Sequence, residues 1–88
     1  MKNMHSILIA DDEKHVRNDI IQSMHWSDYG FYIIGEAENG RQALQMIQDL
    51  QPDVLITDIK MPFANGLKLI ESAHQIKPDI QCVIISGY

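Results

Sequence analysis

Two apolar runs in this chain end in acids, and a third ends in a serine. Ile7-Leu8-Ile9-Ala10 leads into Asp11-Asp12, Val54-Leu55-Ile56-Thr57 into Asp58, and Cys82-Val83-Ile84-Ile85 into Ser86. A short apolar run that terminates in a carboxylate reads as a buried parallel strand. It delivers the acid to the carboxyl edge of a sheet, where open α/β folds place their ligands. With the two acid-tipped runs as parallel neighbours, three acids meet at one edge. Such a trio suits a hard, oxygen-seeking cation. Mg²⁺ fits best, because it takes one or two carboxylates and completes its shell with water and phosphate oxygens. A divalent ion would also remove the mutual repulsion of the acids.

A carboxylate beside Mg²⁺ is a candidate nucleophile toward phosphorus, giving an aspartyl-phosphate. Asp58 is better suited to that role, since it stands alone at its strand end; Asp11 and Asp12 are better cast as metal holders. Ser86 ends the fourth strand at the same edge. Its hydroxyl could donate to a phosphoryl oxygen on Asp58, or it could be an ordinary turn residue before Gly87. The plainer reading of the first acids is capping, with Asp12 an N-cap and Glu13 at the positive end of a helix dipole. Capping explains one acid, or two. It does not explain a cluster that meets a third acid from another strand.

The elements that must position these groups alternate along the chain. Ser6 to Ala10 is the first strand. A helix from about Lys14 to His25 follows, with Val16, Ile20 and Met24 on one stripe. Trp26 to Phe31 is an aromatic loop in which Gly30 can take a positive φ and Trp26 and Phe31 cover the bottom of the core. Tyr32 to Gly35 is a short strand with the polar exit of an edge. Asn39 caps a second helix that reaches about Leu50, with Ala43, Leu44, Ile47 and Leu50 inward. Val54 to Asp58 is the central strand, and Pro62 and Gly66 punctuate the loop beyond it. A third helix spans about Leu67 to Ile76, with Leu67, Ile70, Ala73 and Ile76 inward. Gln81 to Ile85 is a fourth buried strand. The β-α-β-α-β-α-β alternation and the right-handed crossover rule predict a parallel sheet with helices on both faces.

Composition narrows the classes. At 88 residues, with 45% hydrophobic and 22% charged residues, the chain is one domain or part of one. Its net charge of −5 argues against direct grip on nucleic acid or an anionic membrane. No window approaches the ~18 apolar residues of a membrane span, so a cytoplasmic location is expected. The single cysteine, Cys82, lies in an apolar run and reads as a reduced core thiol. His5, His15, His25 and His74 lack metal-ligand spacing.

Taken together, Asp11-Asp12 after strand one, Asp58 after strand three, Met61-Pro62 with Gly66 beyond, and Ser86-Gly87 after strand four resemble the receiver domain of two-component response regulators. The resemblance implies a flavodoxin-like, doubly wound sheet, here in order 2-1-3-4. Residues 1–88 would be the N-terminal portion of the receiver, without the fifth strand and last helices. It implies phosphorylation of Asp58 by a sensor histidine kinase. Mg²⁺ would be held by Asp11, Asp12, Asp58 and the backbone carbonyl of Lys60, and Ser86 would be the hydroxyl that turns toward the phosphoryl group. The Trp26 to Phe31 loop, Gly35-Glu36-Ala37-Glu38-Asn39-Gly40 and Ser86-Gly87-Tyr88 look most like receivers attached to AraC-type DNA-binding domains. Phe63-Ala64-Asn65 departs from the commoner Gly-x-Asp before Gly66. The family's fifth-strand lysine has no counterpart, Lys60 and Lys77 being wrongly placed for it. Ending at Tyr88 would leave the fourth strand as an apolar edge able to pair with another copy.

Two other readings compete. A Mg²⁺-dependent phosphohydrolase resembling the haloacid dehalogenase group would carry Asp-x-Asp, where this chain has Asp58-Ile59-Lys60. A phosphorylation-independent interaction or dimerisation module would use the acids only as caps.

Overall fold

The computed structural model describes residues 4–61 and 65–85. Four strands, β1 (His5–Ala10), β2 (Phe31–Ala37), β3 (Val54–Asp58) and β4 (Gln81–Ile85), alternate with α1 (Lys14–Gln22), α2 (Gly40–Leu50) and α3 (Gly66–Ile76). All pairings are parallel, and the sheet order is β2-β1-β3-β4. This is the doubly wound α/β arrangement that the alternating pattern predicts.

Strand β1 shows why its sequence is apolar without alternation. Leu8 and Ala10 pack on one face with Ala43 and Ile47 of α2 and Leu69 and Ala73 of α3. Ile7 and Ile9 pack on the other with Ile20 and Ile21 of α1, Trp26 and Phe31. A strand covered on both faces has no solvent side on which to place polar residues. Trp26 and Phe31 meet edge to face, 6.4 Å between ring centres, below the second core. Gly30 takes φ 82°, closing the 3₁₀ turn Trp26–Tyr29 and offering its carbonyl to the His5 N–H at 2.8 Å.

Several expectations need correction. Helix α1 stops at Gln22 rather than His25, because Ser23 turns both its N–H and its hydroxyl onto the Ile20 carbonyl, and Met24 is left 37% exposed. Strand β2 is longer than Tyr32 to Gly35. The Asp11 N–H bonds the Ala37 carbonyl at 3.0 Å, so pairing with β1 carries past the polar residues. In α3, Ala73 is buried and Ile70 and Ile76 pack on the core as expected, but Leu69 takes the place expected of Leu67, which is 60% exposed. A strict three-residue spacing rotates by about 60° per step around a helix, so Leu67 and Ala73 cannot share a face. In β4, Val83 and Ile84 are exposed rather than buried. Asn39 does cap α2, its Oδ1 accepting from the Gln42 N–H, and Asn65 caps α3 in the same way through Lys68. No helix among the described residues is long and apolar enough to cross a membrane.

Candidate metal site at the carboxyl edge of the sheet

Register brings the acids together. Ala10 lies opposite Thr57, so the next residue on each strand, Asp11 and Asp58, leaves the sheet side by side. One ligand oxygen from each of Asp11, Asp12 and Asp58 falls within 4.8 Å of the others. Asp11 is buried, Asp58 half-buried and Asp12 exposed, so the cluster opens to solvent on one side.

Each acid is held differently. Asp11 is anchored by its own N–H to Ala37, while its Oδ1 accepts from the Glu13 N–H at 2.9 Å. Glu13, not Asp12, is the N-cap of α1, and it makes no side-chain cap bond. Among the described residues no hydrogen bond or ion pair reaches the Asp12 carboxylate, so capping does not account for it. Asp58 Oδ1 accepts from the Ile59 N–H at 2.8 Å, which leaves its second oxygen for other work.

The turn beyond Asp58 closes tightly. Gly66 N–H bonds the Ile59 carbonyl at 2.6 Å, and a Cβ at Gly66 would collide with the Asp58 carbonyl oxygen and stand 3.0 Å from the Ile59 Cα. Only a residue without a side chain lets α3 start this close to the strand end. Lys60 lies exposed within the turn. Ser86, Pro62, Phe63 and Ala64 lie outside the described residues.

Electrostatics fit a cation. Burial pushes the Asp11 carboxyl above its ordinary 3.8, and the charges of Asp58, Asp12 and Glu13 add to that rise against the opposing Glu13 N–H. No ion pair among the described residues neutralises Asp11, Asp12 or Asp58. An all-oxygen donor set of this kind, with one open side, suits Mg²⁺.

Arg17 escaped the sequence reading. Its side chain is only 11% exposed, and its guanidinium makes two bonds, from Nε to Glu36 Oε1 at 2.9 Å and from a terminal nitrogen to the Asp11 carbonyl at 2.7 Å. The available signal was phase, since an arginine at 17 shares the inner stripe of Ile20 and Ile21. His5, His15, His25 and His74 are all exposed. Cys82 is half-buried against the α2 and α3 core, and desolvation raises its thiol.

The response regulator receiver domain matches residues 7–88. The chain belongs to that family. It is 38% identical over 85 residues to the uncharacterized transcriptional regulatory protein YesN of Bacillus subtilis, a match covering 97% of this chain and 23% of YesN. Among solved structures, the REC domain of AraT, a response regulator from Geobacillus stearothermophilus, matches with a TM-score of 0.92. Identity is 35%, over 97% of this chain and 66% of that one. A two component transcriptional regulator AraC from Clostridium phytofermentans matches at 0.88 and 35% identity, over 96% of this chain and 68% of the other. The chain spans between 23% and 33% of the length of the first curated relatives it matches. The motif resemblance and the 2-1-3-4 receiver sheet are therefore both established. The family is one of signalling receivers, not of catalytic enzymes.

Proposed function

We propose that this receiver is the phosphoacceptor switch of a two-component phosphorelay. Asp58 takes a phosphoryl group from a sensor histidine kinase, and the change is passed to an attached output domain of the AraC type that regulates transcription. Residues 1–88 are the N-terminal portion of the receiver, working in the cytoplasm. The observation that carries the reading is the convergence of Asp11, Asp12 and Asp58 within 4.8 Å at the carboxyl edge. Likeness to the AraT and AraC regulators supports the output class.

Asp11, Asp12, Asp58 and the Lys60 backbone carbonyl would hold Mg²⁺. When bound, the ion supplies neutralisation of the charge on the phosphoryl oxygens. The chain's own contribution is positioning. Asp58 is steadied by the Ile59 N–H on Oδ1 and presents its other oxygen as nucleophile. A new O–P bond forms there as the kinase imidazole's N–P bond breaks, the imidazole nitrogen keeping the electron pair and taking a proton. Ser86 follows Ile85, which pairs with Asp58 across β3 and β4. Its hydroxyl donates to a phosphoryl oxygen, and its movement shifts a two-state equilibrium that the output domain reads.

The test is phosphoryl uptake by the protein that carries this chain, from an acyl phosphate in Mg²⁺, followed by intact mass. One phosphoryl group is expected in the unsubstituted protein and none in Asp58→Asn or after chelation. Undiminished uptake by Asp58→Asn would overturn the assignment.

A further inference from the structure

We infer that Arg17 is the positioning residue of the acid pair, setting where Asp11 and Asp12 present their oxygens; this rests on the Mg²⁺ reading above. The Asp11 carbonyl belongs to the peptide that joins Asp11 to Asp12, so whatever holds that oxygen also sets the direction in which Asp12 leaves the strand. Arg17 holds it at 2.7 Å with a charged donor. The residue grips the connection twice, since its backbone N–H also bonds the Glu13 carbonyl at 3.2 Å and helps form the first turn of α1. Glu36, near the end of β2, anchors the other side of the guanidinium at 2.9 Å. The β1 end, the first turn of α1 and the edge strand β2 thus converge on one planar fork. A lysine could not copy this, because a single ammonium lacks the fork's fixed directions.

Positioning and simple charge predict opposite signs. A guanidinium close beneath a cation site repels the cation, so removing it would tighten Mg²⁺ binding if charge alone mattered. If the fork orients the acids, removing it weakens binding.

The experiment measures Mg²⁺ affinity by calorimetry, with amide NMR spectra of the metal-free protein. Arg17→Gln is expected to shift the Asp12 and Glu13 amide resonances before metal is added and to weaken Mg²⁺ binding roughly tenfold. Arg17→Lys, which keeps the charge, is expected to remain weakened about fivefold. If Arg17→Gln does not fold, Arg17→Lys carries the test, because it keeps the charge and charge alone then predicts no change. Binding that is unchanged or tighter in folded Arg17→Gln overturns the inference, as does unchanged binding in Arg17→Lys. No Mg²⁺ binding by the unsubstituted protein overturns the metal reading and this inference with it. Equal binding by unsubstituted and Arg17→Gln protein overturns this inference alone.

Discussion

Strand β3 carries an aspartate at each end, and the two have opposite surroundings. Asp53, just before the strand, is ringed by donors. The Ser6 N–H reaches its Oδ2 at 2.9 Å, Lys77 Nζ its Oδ1 at 3.2 Å, and His5 Nδ1 stands 3.7 Å away. Its backbone ties three strands, bonding the Ser6 carbonyl through N–H and the Gln81 N–H through its own carbonyl. The Ser6 N–H above all, with Lys77 and His5 behind it, holds the Asp53 carboxyl below its ordinary 3.8 against some desolvation. Asp58, one strand length away, faces Asp11 and Asp12 instead. The same side chain fastens the fold where side-chain and backbone donors ring it, and stands in a cluster of acids where a single backbone N–H, that of Ile59, is its donor.

The largest effect separates the two ends by function. Asp58→Asn is expected to abolish phosphoryl uptake, whereas Asp53→Asn, remote from the acid cluster, leaves it near the unsubstituted level. Parallel intact-mass measurements check this. Equal loss in both variants would mean that the carboxyl edge has no special chemistry.

Stability should show the reverse order. Asp53→Ala removes the acceptor for Ser6 and Lys77, and it is expected to lower unfolding free energy at neutral pH by about 1–2 kcal/mol, reduced by the site's partial exposure. Asp58→Asn keeps an acceptor for the Ile59 N–H and relieves repulsion, so metal-free stability should hold or rise slightly. Urea titrations of the two variants check the contrast. The Asp53 contribution also has a defined pH sense. Because its folded pKa is depressed, its stabilisation is present above 3.8 and is lost as pH falls through the folded value. The difference between Asp53→Ala and the unsubstituted protein should therefore shrink in acid.

What the sequence disclosed and what it hid divide along the same lines. The three acids were legible because strands buried on both faces announce themselves as unbroken apolar runs, and the residue after each run must lie at the sheet edge. Asn39 was legible as a cap because capping is a local matter. Arg17 was not, because its two partners lie six residues back and on another strand, and an arginine among helix residues ordinarily reads as solvated. Leu67 was misplaced because a three-residue series of apolar positions runs through it, whereas the buried face runs through Leu69 and Ala73, four residues apart. Asp53 carried no signal in the sequence, since its value lies in donors from Ser6 and Lys77 that only the fold brings near.

The smallest effect concerns Asp11, and its sign depends on the metal. Asp11→Asn keeps the Oδ1 that accepts from Glu13 but removes a buried charge facing Asp12 and Asp58. Without metal it should raise stability by up to about 1 kcal/mol at neutral pH, the scale of one close like-charge contact in a wet site. The pH sense is opposite to that of Asp53. A raised folded pKa means that the Asp11 contribution is fully favourable below 3.8 and is lost as pH rises through the folded value. The advantage of Asp11→Asn should accordingly grow with pH over that interval and then level off. In saturating Mg²⁺ the order should invert, because the variant lacks a carboxylate for the ion and gains less from binding. Denaturation curves with and without Mg²⁺ at neutral pH test both signs. A variant less stable in both conditions would show that the Asp11 carboxylate, like that of Asp53, is satisfied by its neighbours.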